Sequence, residues 1–250
     1  MTAMLGMYDM PALHAANDAF WSLIRKHLGY GPAQLTRDGD FWDIWQDPAL
    51  IFAQTCGMPY RTRLHGKVQL VGTPDYGLPG CPAGHYCSVF VARRDDPRDL
   101  DQLAQGIFAY NEALSQSGWA APIVHLDALD RMPKALRATG GHALSAQAVA
   151  DARADFAALD ALTWELLQTH TDLGEPLRSV ATTTPTPTLP YITAMGQDAQ
   201  AIARAVRAAI DELNPADRAA LHLRGLIDIP QAQYMAVPTP PPPEATLHIS

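Results

Sequence analysis

Positive charge is scarce in this chain: 18 Lys and Arg stand against 26 Asp and Glu, a formal net charge of -8. The basic footprint by which proteins grip nucleic acid is missing, so nucleic acid is excluded as an expected partner. No apolar run approaches the roughly 18 residues that a membrane helix needs, and no membrane insertion is expected. Met1 to Met10 lacks a basic segment followed by an apolar one, the pattern of an export signal. The expectation is a cytoplasmic location for the chain as written, or a periplasmic one if it is a processed form. Cysteine is sparse too. Cys56, Cys81 and Cys87 are odd in number and too few for a disulfide framework. Cys81 and Cys87 could pair in an oxidising compartment, with reduced thiols as the alternative. The absence of a repeat at fixed period sets aside solenoids and propellers.

What is present is apolar residue in quantity. A chain of 250 residues that is 48% hydrophobic and 18% charged can bury the core of one large domain or of two lobes. The first apolar stretch, 3–8, reads as a strand, after which Leu13, Ala16, Phe20, Ile24 and Leu28 recur at helical spacing. A short strand near Gln34, a helix carrying Phe41 and Trp45, and a buried strand over 49–53 follow. Strands over 68–71 and 88–91 flank a Gly/Pro-rich connection, and a helix around 100–103 precedes a strand over 107–110. Further strands at 134–139 and 155–159 alternate with helices at 142–153 and 162–168. Such alternation predicts an α/β fold whose mostly parallel sheets are flanked by helices. The Thr/Pro-rich segment 181–190 reads as a connector, and Ile202, Val206, Ile210 and Leu213 mark an amphipathic helix. Pro238 and the prolines from Pro240 to Pro243 predict an extended or disordered tail over 235–250.

The strongest local signal is Tyr110-Asn111-Glu112-Ala113-Leu114-Ser115-Gln116-Ser117-Gly118-Trp119, a strand running into a hydroxyl-bearing helix start. Unpaired N–H groups and the positive end of the helix dipole suit an anion there, and serine hydroxyls add donors without charge. Simple capping by Ser115 or Ser117 is the plainer alternative. Pro122 falls a few residues inside the proposed helix and would kink or shorten it. Thr139-Gly140-Gly141-His142 also follows a strand and opens a helix, and Asp160 ends the next strand. Ligands gather at the carboxyl ends of strands in open α/β sheets, so these three strand ends mark one site.

These segments, with Gly6-Met7-Tyr8-Asp9 and Gln54-Thr55-Cys56-Gly57-Met58-Pro59-Tyr60, resemble the PhnD-like phosphate, phosphite and phosphonate substrate-binding components of ABC transporters. The resemblance covers most of the chain. It implies a type II periplasmic-binding-protein fold with two lobes and two hinge crossovers. Lobe 1 would comprise 1–87 and 182–234, lobe 2 would comprise 88–181, and 235–250 would be the tail. It further implies that Ser115, Gln116 and Ser117 grip an oxyanion, that His142 adds a donor, that Tyr8 and Tyr60 form the opposite wall, and that Asp160 accepts from a ligand amine or hydroxyl. Gln116 interrupts the run of adjacent hydroxyls usual in the family. The implied function is binding of a small anionic ligand by hinge closure, without cofactor or metal, as a monomer that hands its ligand to an ABC permease.

Two other classes compete with this one. Some proteins of the same fold are cytosolic enzymes, including those of the futalosine route to menaquinone, and Ser115, His142 and Asp160 can be drawn as a triad. No Gly-x-Ser-x-Gly elbow accompanies them, and residue types alone do not make the contact that a triad requires. Cys56 with His65 or His85 could form a thiol–base pair, a loop cysteine being the simpler reading. Cys81, His85 and Cys87 are poorly spaced for zinc. The third class is a ligand-sensing regulatory module, for which the Pro-rich tail is a candidate contact segment.

Overall fold

A computed structural model describes residues 1–246. Its strands are β1 (Thr2–Met4), β2 (Leu50–Gln54), β3 (Val68–Asp75), β4 (His85–Tyr86), β5 (Ser88–Arg93), β6 (Ile107–Tyr110), β7 (Ala135–Ala138), β8 (Phe156–Asp160), β9 (Leu177–Thr182), β10 (Thr186–Pro187), β11 (Tyr191–Ala194) and β12 (Gly225–Ile227). The chain divides into two compact units. Unit 1 combines Met1–His85 with Pro187–Ala236, and unit 2 combines Tyr86–Thr186 with the chain from Val237 onward. The passages between them run through β4 and β10, which pair with each other as a short ribbon.

Unit 1 carries a sheet in the order β1-β2-β11-β3-β12, in which β1 and β2 are parallel and every other pair is antiparallel. The long helices His14–Leu28 and Ala199–Glu212 pack on each other against this sheet. Both are amphipathic: Phe20, Trp21 and Ile24 of the first, and Ile202, Val206 and Ile210 of the second, are buried. The first helix stops at Gly29, whose φ of 78° gives the left-handed cap that a side chain would resist. A second core gathers Trp45, Leu50, Tyr60, Leu64, Ile192 and Tyr234. The strand expected near Gln34 is replaced by one bond, from the Thr36 amide to the Ala3 carbonyl at 2.7 Å.

Unit 2 carries a sheet in the order β7-β6-β8-β5-β9, with β7, β6 and β8 parallel and β5 antiparallel to both of its neighbours. Phe90, Phe108, Trp119, Ile123, Leu126 and Phe156 form its core. The α/β class holds, but the sheets are mixed where the alternation of elements predicted mostly parallel ones. The reason is connectivity. Parallel neighbours need a crossover helix, whereas β5 and β11 each follow directly on a passage between the units and enter their sheets in the reverse sense.

The segment after Val237 also departs from the expected extended tail. Trp119 donates its indole N–H to the Pro241 carbonyl at 3.1 Å. Pro243 opens a short helix, Pro243–Thr246, because its fixed φ and missing N–H suit the first helical position. Met235 ends the helix Gln231–Met235, and the remainder of the expected tail, 247–250, lies outside the described residues.

Candidate functional site

Because β6, β7 and β8 are parallel, their carboxyl ends share one edge of the unit 2 sheet, and antiparallel β5 begins at that same edge. Ser88, the first residue of β5, is paired with Asp160, the last of β8. Four of the expected residues lie near this edge on two helix starts. Ser115 caps the first, its Oγ accepting from the Gly118 amide at 2.9 Å. Ser115, Gln116 and Ser117 are all buried. The first turn, Gln116–Ala120, is a π turn: the Ala120 amide reaches the Ser115 carbonyl at 2.9 Å and the Ala121 amide reaches that of Gln116. An α-helical stretch, Ala121–Asp127, continues it with Pro122 at its start. Pro122 does not break the helix, because the change of register from π to α falls where its missing N–H would have donated.

The loop after β7 is tied to the end of β6. Thr139 and Gly140 donate their amides to the Tyr110 and Asn111 carbonyls at 2.9 and 2.8 Å. Thr139 Oγ1 reaches Ser145 Oγ at 2.7 Å, which holds the helix His142–Ala150 over the same edge. Ser117 Oγ and His142 Nε2 are 3.0 Å apart. Burial pushes the His142 imidazole down to about 4, partly offset by the Ala158 carbonyl beside it, so the ring is neutral near pH 7. In a neutral imidazole one nitrogen donates and the other accepts, and the serine–histidine pair can therefore run in either sense. Gly118 makes room for this cluster. A Cβ there would stand 1.9 Å from Asn111 Oδ1 and 3.2 Å from His142 Cε1.

Asp160 is buried and caps the helix Ala161–His170, accepting from the Thr163 amide at 3.0 Å. Ser115 and Asp160 thus have capping duties, while Ser117 and His142 face each other directly. No hydrogen bond joins Asp160 to His142 as a triad would require.

The remaining two expected residues belong to unit 1. Tyr8 follows β1 and sets its ring edge-on to Tyr76, with centroids 5.5 Å apart. The Tyr76 hydroxyl accepts from Gln54 Nε2 at 2.9 Å, so Tyr8, Tyr76 and the end of β2 form one polar–aromatic cluster. Tyr60 stands apart from it. It is 1% exposed, packs edge-on against Tyr234 at 5.4 Å, and burial raises its hydroxyl to about 12. Its place is in the apolar core.

Sequence reasoning did not single out four further polar side chains. Thr55 Oγ1 and Thr188 Oγ1 in unit 1, and Ser88 Oγ and Asn111 Oδ1 in unit 2, are buried without a hydrogen-bond partner. Each such group costs about 1 to 3 kcal/mol unless something satisfies it. Asn111 and Thr55 immediately follow strands that point into candidate motifs, which is the signal that could have found them. The three cysteines are all thiols. Among the described residues no group of three or more His, Cys, Asp or Glu is placed to hold a metal ion, and no helix is long and apolar enough to cross a membrane.

Sheets of this topology, divided between two units with hydroxyl-bearing helix starts at strand ends, are the fold of type II periplasmic binding proteins. Residues 52–234 match the family described as ABC transporter, phosphonate, periplasmic substrate-binding protein, and the chain belongs to that family. Its members are substrate-binding components of transporters, not enzymes. No sequence among the curated proteins matches the chain. Among solved structures, PhnD1 of Prochlorococcus marinus in complex with methylphosphonate is 13% identical with a TM-score of 0.72, covering 93% of each chain. A binding-protein component of an ABC phosphonate transporter from Pseudomonas aeruginosa is 16% identical with a TM-score of 0.70, covering 93% of this chain and 82% of that one. XAC2383 from Xanthomonas citri, bound to ATP, is 16% identical with a TM-score of 0.65, covering 99% of this chain and 93% of that one.

Proposed function

We propose that this protein binds a small phosphorus oxyanion, a phosphonate or phosphate-like group, and delivers it to an ABC permease. Ser115, Gln116, Ser117 and His142 of unit 2 are the proposed donors, and Asp160 takes a ligand hydroxyl or amine. Tyr8 of unit 1 belongs to the set, with Thr55, Ser88, Asn111 and Thr188 as additions. Tyr60 is left out, since its ring is buried against Tyr234.

The observation that carries this reading is the contact of Ser117 with His142 on two helix starts over one sheet edge. The pair is uncharged and keeps one donor to spare, the Ser117 hydroxyl when His142 Nε2 donates to it or His142 Nδ1–H when Ser117 donates to Nε2. Neutral, fixed donors select an anion by geometry: a ligand that lacks a matching oxygen leaves a buried group unpaired, at about 1 to 3 kcal/mol each. Hinge closure on the ligand is the proposed mechanism.

The test is a thermal-shift and calorimetric panel of phosphate, phosphite, methylphosphonate, 2-aminoethylphosphonate, sulfonates and aromatic carboxylates, since a ligand of the native state raises the melting temperature by mass action. ATP joins the panel because the Xanthomonas citri relative was solved with it. Shifts confined to phosphorus compounds, weakened strongly in Ser117→Ala and His142→Ala while the unliganded melting temperature changes little, are the expected result. Shifts given by carboxylates alone would overturn the reading.

A further inference from the structure

A second concave site lies on unit 1, at the end of its sheet opposite the Tyr8 and Gln54 cluster. Gln46 precedes β2 and Lys67 precedes β3, so both sit where those parallel-running strands start. With Trp42, Arg61, Arg63 and His65 they line a cavity of about 610 Å³, and no carboxylate lines it. From Pro48 to Pro74 the chain holds no Asp or Glu, whereas Arg61, Arg63 and Lys67 fall within one turn and the loop after it.

Two of the cations, Arg63 and Lys67, are exposed at the mouth of the cavity. Arg63 is held over the Trp42 ring, its guanidinium carbon 5.1 Å from the centroid. That contact fixes the fork while leaving its N–H edge available. Neither Arg63 nor Lys67 joins an ion pair among the described residues. Arg61 is 6% exposed and brings a fixed positive charge into the wall. His65 is positioned by the Gln231 side chain at 2.6 Å.

We propose that this cavity is a second anion site, one that takes a small polyphosphate or phosphate ester. A guanidinium fork gives two parallel bonds to phosphate oxygens and the flexible lysine adds a point charge. The volume lies in the range of pockets that hold whole small molecules, so the cavity has room for the group that a phosphate carries as well as for the phosphate. It shares no residue with the set proposed for transport, and its occupancy does not depend on that reading.

Inorganic pyrophosphate is the probe, titrated into the full chain labelled with ¹⁵N, with sulfate at matched ionic strength as the control for screening. The Trp42 indole N–H, assigned with Trp42→Phe, and the amides of 61–67 are expected to shift saturably with pyrophosphate and much less with sulfate. Arg63→Gln with Lys67→Gln is expected to weaken binding at these signals tenfold or more. Lys67→Glu alone, an exposed change that disturbs no packing, is expected to weaken it as well. Absence of these shifts, equal response to sulfate, or affinity unchanged in either variant at an unchanged melting temperature would overturn the proposal.

Discussion

Gly118→Ala is the sharpest test of the geometry at the unit 2 edge. The added Cβ would stand 1.9 Å from Asn111 Oδ1, 2.8 Å from Asn111 Cγ and 3.2 Å from His142 Cε1. Carbon atoms do not approach polar neighbours this closely, so Asn111 must rotate and the His142 ring must give by a few tenths of an ångström. Overpacking one methyl into a filled site costs about 1 to 3 kcal/mol. For a chain of this size that corresponds to a fall in melting temperature of about 2 to 12 °C. Because the obstacle is one side chain, Asn111→Ala should relieve it. Measured by urea denaturation, Gly118→Ala in the Asn111→Ala background should cost much less than in the wild type, a coupling of 0.5 kcal/mol or more, as residues in contact show. Additive costs, or a Gly118→Ala variant as stable as the wild type, would refute the claim that this glycine exists to admit Asn111 and His142.

Three other outcomes are expected from the structure. The His142 imidazole sits at about 4 in the folded chain against an ordinary 6.5, so its contribution to stability is full above pH 6.5 and is lost as pH falls towards 4. Replacing it by Asn should flatten that limb of the stability profile by up to about 3 kcal/mol, read from denaturant midpoints. Arg98 bridges Asp96 at 2.6 Å and Asp155 at 2.7 Å and holds the Asp96 carboxyl down to about 2. Asp96→Asn should therefore cost about 1 to 2 kcal/mol at pH 7, with the difference from wild type shrinking as pH drops through 3.8 towards 2. Trp119→Phe removes the indole donor to Pro241 and should leave the core packed while exposing the segment after Val237 to limited proteolysis sooner than in the wild type.

Much of unit 2 was legible because its elements obey the periodicities that burial imposes. The strand expected at 107–110 is β6, the helix expected from 142 begins at His142, and Asp160 closes β8 as read. The misses have a common cause. β11 is central in its sheet, yet its residues, Tyr191 to Ala194, emerge directly from the Thr/Pro-rich segment and give no boundary of their own. β9 is an edge strand whose residues alternate weakly between buried and exposed, so no period marks it. Pro122 looked like a helix breaker because local sequence does not announce a π turn, which forms where serine capping and core packing of Trp119 fix the first turn. In the candidate site, the hydroxyls and His142 could be read from residue type and position. The role of Gly118 could not, since it depends on a contact with Asn111 that the folded loop alone creates.

The proposed binding of an anion by a chain with a net charge of -8 has an electrostatic consequence. A lysine or arginine at the unit 2 edge would attract every anion in solution, because a charge acts over about a Debye length of 8 Å whatever the shape of its partner. Hydroxyls, amides and a neutral imidazole act only at hydrogen-bonding distance and only along their donor directions. In the proposed site, keeping His142 neutral by burial would exchange long-range attraction for discrimination, and would leave the proton on a phosphonate or phosphate monoanion for Asp160 to recognise. If that is the division of labour, affinity for the preferred phosphorus oxyanion should change little when ionic strength is raised, whereas pyrophosphate binding at the Arg63 and Lys67 cavity should fall steeply with salt. The two dependences, measured on one sample, separate selection by geometry from attraction by charge.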